Sequence, residues 1–167
     1  MSDTDPLHQA FPMVADARTR LLVLGSLPGR QSLAAGRYYA HPRNQFWALM
    51  GPVVGRDLVA MPYEERLAAL LHAGVGLWDV VGEARRRGSL DADLRDARPR
   101  DLGAAVARLP ALRALGFNGA TAFAIGARQL GADPGIDLIP LPSSSPAHAV
   151  GLAAKQPAWA ALRAYLA

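Results

Sequence analysis

Three stretches of this chain carry residues whose types and spacing suit a chemical site. Residues 25–29 read Gly-Ser-Leu-Pro-Gly. Two glycines and a proline beside an apolar run free backbone N–H groups to meet a carbonyl oxygen or an anion. The loop has neither the Gly-Lys-Ser/Thr of a Walker phosphate loop nor a dinucleotide fingerprint, and an ordinary strand-end turn is the plainer alternative. Residues 38–47 read Tyr-Tyr-Ala-His-Pro-Arg-Asn-Gln-Phe-Trp. Adjacent tyrosines present flat faces for a planar ring, and Asn44 presents an amide for a water or a base edge. Phe46 and Trp47 also fit a core, and Asn44 a helix cap. Residues 141–148 read Leu-Pro-Ser-Ser-Ser-Pro-Ala-His. Hydroxyls and N–H groups on a proline-stiffened loop suit phosphate oxygens. A Ser144 or Ser145 nucleophile with His148 is the competing reading, and no Gly-x-Ser-x-Gly elbow accompanies it.

The elements between these stretches decide whether they meet. Residues 20–25 form a short apolar run ended by Gly and Pro, the pattern of a central parallel strand. Further strands are expected over 74–81, broken near Asp79, and over 112–117 and 136–141. Helices are expected over 42–50, with Pro42 in the first turn and 52–55 closing it, and over 62–73, where Leu67, Leu70 and Leu71 share a face and Glu64 and Glu65 open it. Helical patterns follow over 102–109, 120–130 and 152–166. Residues 82–100 are charged, lack clean periodicity and read as a surface excursion with one helical turn. Alternating strands and helices imply right-handed crossovers and a mostly parallel sheet, hence a three-layer α/β/α sandwich around four parallel strands. Residues 1–19 read as an N-terminal tail and 20–167 as one domain. Ligands of such sheets lie beyond the carboxyl ends of the strands. That rule brings 26–29, Trp78 with Asp79, Asn118 with Gly119, and 143–148 to one rim.

Composition narrows the partners. With 167 residues the chain is long enough for a full core, and no apolar run approaches the ~20 residues of a membrane span. The polar, acidic N-terminus is not a signal peptide, which makes the cytoplasm the expected location. The absence of cysteine excludes a disulfide framework and any thiolate-held zinc or iron–sulfur cluster. The net charge is +4, carried by arginine apart from Lys155, which suits a polyanion; arginine-rich codon usage explains it equally well.

Taken in order, Gly-Ser-Leu-Pro-Gly, Tyr-Tyr-Ala-His-Pro-Arg-Asn-Gln-Phe-Trp, Gly-Val-Gly-Leu-Trp-Asp-Val-Val, Phe-Asn-Gly and Leu-Pro-Ser-Ser-Ser-Pro-Ala-His resemble the motifs of the uracil-DNA glycosylase superfamily. The nearest likeness is to its hypoxanthine-DNA glycosylase branch; mismatch-specific thymine/uracil glycosylases share the plan. The resemblance runs over roughly residues 20–150. The end motifs are short, and the specificity lies in their order and in the block around Asn44. It implies a monofunctional enzyme without cofactor or metal, acting as a monomer on DNA with deaminated bases. Such an enzyme flips the base out and hydrolyses its N-glycosidic bond. Uracil or mismatch activity, or lesion binding without catalysis, are the alternatives it leaves open.

By motif position, the resemblance makes Asn44 the principal catalytic residue, with Ser26 the polar side chain of the first loop. Gly25 and Leu27 would border the base, Tyr39 would stack on it with Phe46 as the alternative, and Asn118 would lie at the same rim. Ser143, Ser144, Ser145 and Pro146 would compress the phosphates, with His148 nearby; apart from the resemblance, Arg43 suits a phosphate by its charge, solvated surface charge being the alternative. Two departures stand out. Many relatives carry Asn or Asp in the first motif, where this chain has Leu27 beside Ser26. Where mismatch enzymes have Asn in the second-strand motif, this chain has Asp79. As an acceptor, Asp79 would read the N–H that hypoxanthine and uracil share; a helix cap is the structural alternative.

Overall fold

The computed structural model describes residues 5–132 and 134–167. In chain order the elements are β1 (Leu7–Gln9), β2 (Leu21–Gly25), α1 (Arg30–Ala35), α2 (Phe46–Val54), α3 (Tyr63–Ala73), β3 (Val75–Asp79), β4 (Val81–Arg85), β5 (Arg95–Pro99), α4 (Leu102–Arg108), β6 (Ala114–Asn118), α5 (Ala120–Leu130), β7 (Asp137–Leu141) and α6 (Leu152–Ala160), with a 3-10 turn at Asp91–Asp93 and another at Ala161–Tyr165.

The apolar run Leu-Leu-Val-Leu-Gly becomes β2, buried throughout because it lies inside a four-stranded parallel sheet of order β3-β2-β6-β7. Successive side chains point to opposite faces. Leu21 and Val23 join Phe46, Trp47, Met50, Leu70 and Trp159 in one core, under α2, α3 and α6. Leu22 and Leu24 join Leu102, Leu115, Phe117 and Ala122 in the other, under α4 and α5. This is the expected sandwich. Its register sets Gly25 beside Asp79 at one rim, and Asn118 beside Leu141.

Four expectations need correction. Residues 82–100 are not a surface excursion: β4 and β5 form an antiparallel hairpin, and β1 pairs with β4 as a third strand. Within the expected tail, the described residues therefore belong to the fold, with Val14 also bridging to Leu77; residues 1–4 lie outside the described residues. The break expected near Asp79 in the strand over 74–81 falls at Val80, where the chain leaves one sheet for the other, held by Val80 N–H to Gly25 O (2.8 Å) and Val81 N–H to Ser26 O (3.0 Å). The helix expected over 42–50 begins only at Phe46 and passes through Pro52, ending at Gly55, whose left-handed conformation (φ 72°) closes it. The expected helix over 152–166 likewise becomes α6 and a 3-10 turn.

The contact between α5 and β6 is tight enough to test. A Cβ added at Gly126 would collide with Cε1 of the wholly buried Phe117. Gly126→Ala is expected to cost about 1–3 kcal/mol in urea denaturation despite alanine's better helix propensity. Combined with Phe117→Leu, the pair should cost less than the sum of the two single changes. An unaltered midpoint for Gly126→Ala would contradict the packing described.

Candidate active site

At the carboxyl ends of β2, β3 and β6 the chain leaves a cavity of about 340 Å³. Its wall brings together residues 25–32, Tyr39, Asn44, Asp79, Asn118 and 143–148, with Ser89, Leu90 and Asp91 from the β4–β5 hairpin. All four segments of the expected rim are present.

The centre of the arrangement is Ser144, whose side chain is wholly buried. Its backbone N–H donates to Asn118 Oδ1 (2.9 Å), which turns Asn118 Nδ2 toward the Ser144 hydroxyl (2.9 Å). The hydroxyl, accepting there, donates to Asn44 Oδ1 (2.8 Å). The same Oδ1 accepts from the Phe46 N–H (3.0 Å), so Nδ2 is the polar end that Asn44 offers to the cavity. The capping alternative is not met as expected, since Gln45 holds the N-cap position; Asn44 instead closes an Asx turn immediately before α2. The Gln45 N–H to Ser144 O bond (3.0 Å) ties the two loops together.

Tyr38 and Tyr39 both reach the cavity wall, Tyr38 as the more deeply buried of the two. Tyr38 is buried and its hydroxyl donates to Pro12 O (3.1 Å). Tyr39 takes a left-handed backbone (φ 55°), rare outside glycine, and stacks on Phe46 with ring centroids 3.9 Å apart. Its hydroxyl lies 3.4 Å from Asn118 Nδ2, and burial raises its phenol pKa above the ordinary value. Phe46, the alternative stacking residue, has no exposed surface and lies behind Tyr39. Trp47 is likewise core, its indole N–H donating to Tyr39 O (3.2 Å).

Asp79 is buried at the cavity wall, and its Oδ2 meets no hydrogen-bond partner among the described residues. A Cβ at Gly25 would stand 2.7 Å from Asp79 Oδ1, so only glycine fits beside this carboxyl. Burial, reinforced by Asp91 and opposed by Arg100 and Arg86, pushes the Asp79 pKa up to about 7.

Ser26 Oγ donates to Asp91 Oδ1 at 2.6 Å, a charge-assisted bond from the first loop to the hairpin. Arg86, wholly buried, donates to Pro28 O and to Ser89 O (3.4 Å), bracing the same loop. Leu27 is buried at the cavity wall, and the Ser143, Ser145, Pro146 and His148 side chains stand at its mouth. Two expected DNA contacts are placed otherwise. Ser144 is inside, bonded to two amides, which also denies its proton to a histidine base. Arg43 is exposed but outside the cavity lining. Asn118, expected to border the base, lines the cavity with its amide committed to Ser144 and Tyr39. Asp91, Ser89, Arg86 and Arg100 were not among the expected site residues. Strand alternation through Ala84 and Arg86 was the one available signal, and the arginines on either side of Arg86 obscure it.

This fold, with its cavity at the strand ends, is that of a known superfamily. The family model for the uracil DNA glycosylase superfamily matches residues 11–163, and the chain belongs to that superfamily. Among its relatives, the hypoxanthine DNA glycosylase of Methanosarcina acetivorans is 40% identical over 113 residues, covering 68% of this chain and 72% of that one. The hypoxanthine DNA glycosylase of Methanosarcina barkeri is 40% identical over 111 residues, covering 66% and 70%. The solution NMR structure of a provisionally assigned uracil DNA glycosylase from Methanosarcina acetivorans superposes with a TM-score of 0.84 at 35% identity, covering 96% of this chain and 99% of that one.

The raised Asp79 pKa has a consequence for stability. Between the ordinary value of 3.8 and about 7 the folded chain keeps a proton that the unfolded chain has released. Stability therefore falls as pH rises through that window and levels off above it. Asp79→Asn removes this titration. The variant's urea midpoint is expected to gain on the parent's between pH 4.5 and pH 8; a difference independent of pH would contradict the assignment.

Proposed function

We propose that the chain is a monofunctional DNA glycosylase that flips a deaminated base, hypoxanthine foremost, into this cavity and hydrolyses its N-glycosidic bond to leave an abasic site. The observation that carries the reading is the presence on one cavity wall of Asn44, its Nδ2 held as a donor by the Ser144 network, and of the buried Asp79 carboxyl. Hypoxanthine presents a carbonyl acceptor, O6, beside an N1–H donor. An amide donor and a carboxylate acceptor match that edge, and the incoming N1–H favours the ionised form of Asp79. Adenine presents the reverse pattern and leaves the buried groups unpaired, the condition under which a polar site discriminates most. The named activity of the two relatives supports the same substrate.

Tyr39, backed by Phe46, supplies the flat wall on which the extruded base stacks. Ser143, Ser145, Pro146 and His148 at the mouth, with Arg30 and the exposed Arg43, contact the backbone of the DNA. No helix among the described residues is long and apolar enough to cross a membrane, and none of their acidic and histidine side chains cluster as a metal site would.

The test is a panel of duplexes carrying hypoxanthine, uracil, xanthine or thymine opposite each base. Release of hypoxanthine is expected to be fastest. Release of uracil or mismatched thymine in preference would establish the mismatch reading, and tight binding without release would make the chain a lesion-binding protein. Asn44→Ala is expected to slow single-turnover release by ~10²-fold, the range for loss of a positioned polar group; undiminished release would remove Asn44 from the chemistry.

A lyase step needs an amine for a Schiff base. Lys155 is buried in α6, away from the cavity lining, and burial lowers its pKa. The product abasic strand is therefore expected to stay intact, and borohydride trapping of a covalent adduct would refute this.

A further inference from the structure

The attacking water must lose a proton, and a positioned acceptor speeds that loss; Asn44 is not that acceptor. Its Oδ1 already accepts from the Phe46 N–H and the Ser144 hydroxyl, so toward the cavity it offers donors. Those can hold a base carbonyl or a water lone pair but take no proton. Nor does the first loop contain an acid of its own. The structure supplies one from another element. Asp91, in the 3-10 turn of the β4–β5 hairpin, lies on the cavity wall and receives the Ser26 proton at 2.6 Å. Having given its only proton to Asp91, Ser26 can only accept toward the cavity.

We infer that Asp91, acting with Ser26, is the general base of the reaction, a carboxylate brought to the first loop through space by the hairpin. This rests on the glycosylase reading above. In the step itself the C1′–N9 bond breaks, its electron pair leaving on the base, and a water oxygen bonds to C1′. The water proton passes to the Asp91 carboxylate, directly or by way of the Ser26 hydroxyl, whose own proton then moves to Asp91. Asp91 returns the proton to solvent, and the departing base anion takes one from solvent. While ionised, Asp91 also faces the positive charge that develops on the sugar. Asp79, buried and unpartnered, remains at the base edge. The two carboxyls therefore have separate roles because their surroundings differ, one dry and one bonded to a hydroxyl.

Asp91→Asn preserves an acceptor for Ser26 and removes the base; Asp91→Ala opens space for a small carboxylate. On a deoxyinosine duplex both variants are expected to lose ~10²-fold or more in single-turnover rate. Their affinity for a duplex carrying non-cleavable 2′-fluoro-deoxyinosine should stay within about threefold of the parent's, since the base acts on the transition state and not on binding. Added formate should restore part of the rate of Asp91→Ala and leave the parent unchanged. Parent-like cleavage by Asp91→Asn, while the parent releases hypoxanthine, overturns the inference and leaves the glycosylase reading standing. Rate loss accompanied by equally weakened binding, and without formate rescue, also overturns it by assigning Asp91 to loop structure. A parent protein inert on every deaminated base removes both.

Discussion

The N–H of Phe46 and the N–H of Ser144 each donate to a side-chain amide oxygen, on Asn44 (3.0 Å) and Asn118 (2.9 Å), and the proton positions along the rim follow from those two bonds. A backbone N–H can only donate, so both amides are oriented without appeal to rotamer preference. The Ser144 hydroxyl must then accept from Asn118 and donate to Asn44. A part-buried polar chain of this kind holds its orientation because turning either amide over would break its bond to a backbone N–H. The donor that Asn44 turns to the cavity is consequently set by the start of α2 and by the loop after β7, two elements distant in sequence that meet because the sheet order places them together.

The second sheet completes what the parallel sheet begins. At Val80 the chain passes from β3 to β4, and the bonds to Gly25 O and Ser26 O hold that passage against the first loop. Arg100 anchors the far strand, donating to Phe11 O (2.7 Å) and lying 4.5 Å from the Trp78 ring centroid. The cross-strand pairs Arg98–Glu83 (3.3 Å) and Arg85–Asp96 (3.6 Å) have exposed partners and contribute little energy. The hairpin is positioned chiefly by its ladder, by the buried Arg86 and by the half-buried Arg100. In that position it carries Ser89, Leu90 and Asp91 to the cavity wall.

The parallel sheet was legible because its strands are short apolar runs ended by turn residues, a pattern that burial on both faces enforces. The site was legible as a set of loops for the same reason: polar residues sit where strands end. What sequence alone could not distinguish was which of three consecutive serines goes inside. Ser143, Ser144 and Ser145 are chemically identical, and only the loop's path past Asn118 selects the middle one. The hairpin was hidden for a different reason. β5 is exposed along its whole length and reads Arg-Asp-Ala-Arg-Pro, so no apolar alternation marks it. Asp91, reached only through that hairpin, was hidden with it. The late start of α2 has a local cause, since the chain turns at 41–44 to deliver Asn44 before the helix can begin.

Two of the places where this fold departs from ordinary satisfaction, Tyr39 and Asp79, lie on the cavity wall. Tyr39 holds a left-handed backbone at a cost of about 1–3 kcal/mol. The buried polar atoms without partners among the described residues are Gln45 Oε1, Asp79 Oδ2, Arg86 Nε and Arg100 Nη1, each a penalty of about 1–3 kcal/mol. Against a typical domain stability of about 5–15 kcal/mol such terms are large, and the two cores on either face of the sheet must offset them. Of those four residues, Asp79 alone lines the cavity. Under the proposed function, a base N–H donated to the Asp79 carboxyl relieves that penalty in the bound state and a base without a donor there leaves it in place, whereas the arginine and glutamine penalties persist whatever binds. On that reading, discrimination draws on a penalty already present in the empty protein.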